Sequence, residues 1–255
     1  MKYTYEELAK MIDHSLLHPT MTDRDLDEGC KIAAKYGVAS VCIKPYAVKR
    51  AAELLRGTGV LVGAVIGFPH GNSTTESKRY ETQLACADGA AEIDMVINIG
   101  KAMGGDFDYV ERDIRAVCDE AHRHGAKVKV IFENDYLTSG DDFKRKLCQI
   151  SERAGADWVK TSSGYGFVKQ PDGSYNYKGA TEHDLALMRA SVSAKVQVKA
   201  AGGVRDLDGL IRVRDLGATR CGATATAAMM DEYRRREAAG HRESATSPIL
   251  GKGGY

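Results

Sequence analysis

The sequence predicts an α/β fold: a (β/α)8 TIM barrel with a short N-terminal helix and a flexible C-terminal tail. Three observations carry that expectation. The chain has 255 residues, a normal length for one such barrel. One phrase recurs, a helical pattern followed by glycine and then an apolar run, as at Tyr36-Gly37-Val-Ala-Ser-Val-Cys-Ile and His124-Gly125-Ala-Lys-Val-Lys-Val-Ile. Later copies at Gly89, Gly155 and Gly217 keep a spacing of roughly one or two βα units of about 30 residues. Finally, the apolar runs are short and nearly continuous, as in parallel strands covered by helices.

The elements follow in order. A short helix over 4–11 precedes strands near 12–17, 38–43, 60–66, 91–97, 127–132, 157–161, 195–200 and 218–223. Helices are expected over 22–36, 45–57, 74–88, 106–124, 141–154, 181–191, 206–216 and 224–238. Glycine closes several of these helices because it takes a left-handed φ without a Cβ clash. Eight βα units with right-handed crossovers make a barrel; a doubly wound open sheet is the structural rival. No linker divides the chain, so 1–255 reads as one domain, with 240–255 a flexible tail. Residues 162–180 exceed an ordinary βα loop. There Pro171-Asp172-Gly173, between Phe167-Val168 and Tyr175-Tyr177, predicts a small hairpin.

Composition narrows the function. Hydrophobic residues are 43% and charged residues 28%, a globular mixture, and 36 Lys and Arg against 35 Asp and Glu leave a net charge of +1. That balance argues against a general nucleic-acid or membrane-surface partner. The longest apolar stretch, Val60 to Phe68, is far short of a membrane span. Six scattered cysteines without a CxxC pair fit reduced thiols in a cytoplasmic protein. His122 and His124 fit a helix end, where cations favour the dipole, and no local spacing compels a metal. Homo-oligomerisation is left open.

In a TIM barrel the reactive groups belong at the C-terminal ends of the strands. Charged residues inside apolar strands are expensive unless paired or useful. Four stand out: Asp94 in Glu-Ile-Asp-Met-Val-Ile, Glu133 after Val-Lys-Val-Ile-Phe, Lys160 in Asp-Trp-Val-Lys-Thr, and Lys199 in Val-Gln-Val-Lys-Ala-Ala-Gly-Gly. Lys160 shares a face with Trp158, and Lys199 with Gln197 and Lys195. Two inward lysines on neighbouring strands would depress each other's protonation, and a neutral lysine amine can form a Schiff base with a carbonyl. The competing structural role is a salt bridge of either lysine with Asp94 or Glu133. The glycines weigh toward chemistry. Gly202-Gly203 follows the seventh strand and Gly222 lies on the eighth, where barrels commonly bind phosphate.

These residues resemble the deoxyribose-phosphate aldolase family of class I aldolases. The matching blocks include Ile12-Asp13-His14-Ser15-Leu16-Leu17, Glu92-Ile-Asp94-Met-Val-Ile, Val159-Lys160-Thr161-Ser162-Ser163-Gly164 and Val198-Lys199-Ala200-Ala201-Gly202-Gly203-Val204-Arg205. The resemblance implies a TIM barrel that reversibly cleaves 2-deoxy-D-ribose 5-phosphate to acetaldehyde and D-glyceraldehyde 3-phosphate. It assigns the Schiff base to Lys160, the perturbing ammonium to Lys199 and a proton relay to Asp94. Backbone amides of Gly164, Gly202, Gly203 and Gly222 would meet the 5-phosphate, with Arg205 steadying the loop, and neither metal nor organic cofactor is implied. Two departures bear on the substrate. Tyr165 to Lys178 intervenes before Gly179-Ala180-Thr181, and Gly222-Ala223-Thr224-Ala225 keeps one hydroxyl, Thr224, where the family tends to carry two. A class I aldolase for another aldehyde or sugar phosphate is the alternative enzyme, and a silent binding barrel the alternative of another class. Tyr255, on its glycine-rich tether, is an expected auxiliary proton donor at the barrel mouth.

Overall fold

The computed structural model describes residues 2–240. Helix α1 (Tyr5–Ala9) leads into strand β1 (Ile12–Leu16), and βα units then repeat: α2 (Asp23–Tyr36), β2 (Ser40–Ile43), α3 (Val48–Leu54), β3 (Leu61–Ile66), α4 (Thr75–Ala87) and β4 (Glu92–Val96). The chain continues through α5 (Ile99–Met103), α6 (Phe107–Arg123), β5 (Lys127–Ile131), α7 (Asp141–Arg153) and β6 (Trp158–Lys160). A hairpin of β7 (Val168–Lys169) and β8 (Tyr175–Asn176) precedes α8 (Glu182–Ser191), β9 (Gln197–Ala201), α9 (Leu207–Asp215), β10 (Ala218–Ala223) and α10 (Thr226–Ala238). Every barrel pairing is parallel, and the sheet closes in the order β1-β2-β3-β4-β5-β6-β9-β10. The hairpin strands pair only with each other, antiparallel.

Local chemistry explains the element ends. Thr22 and Asp25 form a reciprocal capping box at the start of α2, and Gly37 closes that helix with φ +64°. Between strands and helices lies an apolar layer that includes Val41, Ile66, Ile93, Val130, Val159 and Val198, all buried. Removing each such side chain from water contributes roughly 1.5–3 kcal/mol. Lys78 and Asp113, both fully buried and 2.6 Å apart, fasten α4 to α6 within that layer.

Three sequence expectations change. Only Val48–Leu54 of the expected 45–57 helix is α-helical, because Pro45–Ala47 forms a 3-10 turn and Gly57 and Gly59 take positive φ. Strand β9 begins at Gln197, so Lys195 lies ahead of it rather than on its inner face. Helix α5, capped by Asn98, was not expected; five residues are too few for a periodic signal. Among the described residues no helix is long and apolar enough to cross a membrane. The expected tail over 240–255, with Tyr255, lies outside the described residues beyond Gly240.

Candidate active site

Strand parity turns a set of charged side chains into the barrel. Lys160 sits beside Lys199 across the β6–β9 pairing, and Asp94 beside Lys129 across β4–β5. Their side chains converge on one carboxylate: Asp94 Oδ2 accepts from Lys160 Nζ at 2.7 Å and from Lys199 Nζ at 2.7 Å. Lys129 Nζ donates to Asp94 Oδ1 at 2.9 Å and to Glu92 Oε2 at 2.6 Å. Lys199 also lies 2.6 Å from Asp13 Oδ2. Arg220 closes the lattice by pairing with Asp13 and with Glu92. Lys129 and Arg220 stand over the Trp158 ring at 5.7 and 5.3 Å, which gives their charge a polarisable surface in the lumen.

Burial makes this lattice chemically asymmetric. Lys160 is held below the ordinary lysine range, first by burial; Asp94 opposes that fall and the Lys199 charge adds to it. Burial also disfavours the Lys199 ammonium, yet Asp13 and Asp94 together hold its pKa well above normal. Burial would raise the Asp94 carboxyl, but Lys129, Lys160 and Lys199 keep it well below the carboxylate range. One lysine therefore holds its proton less tightly than an ordinary lysine and its neighbour more tightly, and one carboxylate touches both. The neighbouring ammonium does lower Lys160 as expected, but desolvation is the larger cause. The salt bridge weighed against chemistry exists too, and it runs to Asp94.

A cavity of about 280 Å³ opens beside this pair. Lys160, Lys199, Ser163 and Cys42 line it with Gly202, Gly203, Val204 and Arg205 after β9, and with Gly222, Thr224 and Ala225 around the end of β10. Gly202 and Gly203 have φ of +85° and +86°, a conformation that side chains rarely adopt and that turns successive amides to one side. A Cβ at Gly222 would stand 3.6 Å from Lys199 Cε, so this glycine lies directly against the lysine stem. Gly164 is buried and turns the chain with φ +88°, next to Ser163, which lines the cavity with Tyr177. Thr224 lines the cavity where the family tends to carry two hydroxyls, and the next one along the chain, Thr226, bonds buried His14 Nδ1 at 2.8 Å and is not part of the lining.

Glu133 does not join the lysines. It follows β5 with φ +59° and takes the Ser163 hydroxyl and backbone N–H on its carboxyl. Burial pushes that carboxyl up to about 7, against the pull of the Ser163 hydrogen bonds. Sequence reasoning passed over Asp13, Glu92, Lys129 and Arg220. The signal was present, since each is a charge inside a barrel strand.

A closed parallel barrel whose lumen holds two lysines on one carboxylate beside a glycine turn defines the class: a barrel enzyme with a buried amine pair at its cavity. The chain belongs to the DeoC/LacD family of aldolases, whose model matches residues 8–227. It is 51% identical over 234 residues to a deoxyribose-phosphate aldolase of Rhodopirellula baltica, covering 92% of each chain. A deoxyribose-phosphate aldolase of Aciduliprofundum boonei is 46% identical over 218 residues, 86% of this chain and 93% of the relative. The tetrameric deoxyribose phosphate aldolase from Aeropyrum pernix superposes with a TM-score of 0.80 at 28% identity, over 91% of this chain and 92% of that one.

Proposed function

We propose that the protein is a class I aldolase that reversibly cleaves 2-deoxy-D-ribose 5-phosphate to acetaldehyde and D-glyceraldehyde 3-phosphate, with Lys160 as the Schiff-base residue. The observation that carries this reading is the single Asp94 oxygen, 2.7 Å from each lysine, between amines whose basicity is displaced in opposite directions. The names of the relatives support the substrate.

The steps follow from that asymmetry. Neutral Lys160 adds to the C1 aldehyde of the open-chain sugar, and loss of water leaves an iminium. The electrons of the C2–C3 bond then flow into the iminium while the C3 hydroxyl gives up its proton. The resulting aldehyde is glyceraldehyde 3-phosphate, and the enamine stays on Lys160. Protonation at C2 and addition of water release acetaldehyde and restore the amine. Lys199, charged at rest, and Asp94, ionised at rest, pass the protons to and from the carbinolamine and hydroxyl oxygens, each changing protonation in transit and returning to its resting state. Gly202 and Gly203 offer amides to the 5-phosphate. Gly222 lies against Lys199, and Thr224 supplies a hydroxyl to the lining.

The test couples release of glyceraldehyde 3-phosphate to a dehydrogenase. Cleavage of deoxyribose 5-phosphate that disappears in Lys160→Met is expected. Cleavage that survives this substitution overturns the assignment.

A further inference from the structure

The segment Tyr165 to Lys178, which sets this chain apart from its family pattern, returns toward the barrel in a way the hairpin alone does not require. Strands β7 and β8 themselves are exposed or half-buried, yet Tyr177, immediately after β8, is only 5% exposed. Its ring lines the catalytic cavity together with Lys160, Gly202 and Gly203. A second cavity of about 580 Å³, beneath the hairpin, is also lined by Tyr177. Tyr177 is thus the residue common to the two linings.

Its neighbours fix it from several sides. Phe167 packs edge-to-face on it, with centroids 5.3 Å apart, and the Phe167 carbonyl accepts from the Tyr136 hydroxyl at 3.2 Å. The Asp135 carboxylate accepts the backbone N–H of Lys178 and, at 3.0 Å, that of Gly179. The next amide, Ala180 N–H, donates to the Gly202 carbonyl at 3.1 Å. Gly202 is clasped closely: a Cβ there would lie 2.9 Å from Gly179 Cα and 3.2 Å from Tyr177 Cε2. Ring and backbone thus hold the first of the two left-handed glycines, whose conformation sets where the following amides point.

We propose that Tyr177 is a positioning residue that fixes the Gly202–Gly203 turn and thereby sets the enzyme's preference for a phosphorylated over an unphosphorylated sugar. This rests on the proposed aldolase reaction and deepens it. The ring, not the hydroxyl, carries the role, because the ring edge meets Gly202. Removing it frees the turn to leave the geometry that the phosphate oxygens need; small displacements of such groups are costly.

The experiment compares kcat and KM for deoxyribose 5-phosphate and for deoxyribose in the parent, Tyr177→Phe and Tyr177→Ala, with inhibition by inorganic phosphate as a second readout. Tyr177→Phe should keep the parent's preference within about twofold. Tyr177→Ala should lower it about tenfold, which is about 1.4 kcal/mol, mainly through the KM of the phosphorylated sugar, and weaken phosphate inhibition by a similar factor. A Tyr177→Ala enzyme that keeps the preference, or that loses kcat equally on both sugars, overturns the inference while leaving the reaction intact. A folded parent that cleaves neither sugar and traps no acetaldehyde under borohydride overturns the aldolase reading, and this inference with it.

Discussion

Replacing Lys199 with methionine removes one charge from the centre of the lattice while filling the space of the aliphatic stem. Lys160 and Lys199 each lie 2.7 Å from the same Asp94 oxygen, so the two ammonium groups stand close together across it. At a separation of about 5 Å and an effective dielectric of about 20, Coulomb's law gives about 3 kcal/mol of repulsion. Lys160 is held below the ordinary lysine range, so losing that repulsion lets its pKa rise, and Asp94, freed of one partner, pulls the same way. Only the neutral amine attacks a carbonyl. The rate of imine formation with acetaldehyde, read by borohydride trapping across pH, should fall about a hundredfold at pH 7. Its rising limb should move toward alkaline pH, because the Lys160 amine then keeps its proton to higher pH. Circular dichroism checks that the variant is folded. A folded variant with the parent's pH profile would refute the coupling between the two lysines.

Glu133→Gln should flatten the pH dependence of stability. The Glu133 carboxyl is raised from an ordinary 4.5 to about 7, so its protonated form stabilises the fold fully below about pH 4.5. That contribution is lost as pH rises through 7, at up to about 1.4 kcal/mol per pH unit; urea unfolding at pH 5 and 7.5 compares the slopes. Lys129→Met leaves Glu92 and Asp94 short of a buried partner and should cost about 3–5 kcal/mol of stability, seen as a lower urea midpoint. Gly202→Ala forces a side chain into φ +85° and against Gly179, at a cost of about 1–3 kcal/mol in backbone strain. It should raise the KM for the phosphorylated sugar more than it lowers kcat.

The barrel was legible because its rhythm is written in backbone chemistry: glycines such as Gly37, Gly125 and Gly155 stand where helices end with positive φ, and Val- and Ile-rich runs follow them. Asp94, Lys160 and Lys199 were legible for a different reason, as charges that an apolar strand would not carry without use. The rest of the lattice was harder to see. Asp13, Glu92 and Arg220 belong to strands far apart in sequence, and their meeting depends on how the sheet closes. Lys129 shares a strand face with Lys127, which is exposed, so the pair reads as surface charge until the register sets Lys129 one step deeper, beside Asp94. The hairpin was signalled by Pro171-Asp172-Gly173, but Tyr175 and Tyr177 look alike in sequence. Only packing separates them, with Tyr175 63% and Tyr177 5% exposed.

The identity of the residue that holds the carbonyl carbon is the point on which the chemistry turns. Acetaldehyde should be trapped on the protein with borohydride and the product mapped after trypsin digestion. Reduction fixes an ethyl group on the lysine, which then resists trypsin, so the modified peptide should run from Ala154 through Lys160 to Lys169 with one ethyl group at Lys160. An adduct found on Lys199 instead, or no adduct in a folded and active enzyme, would contradict the assignment of Lys160 as the nucleophile.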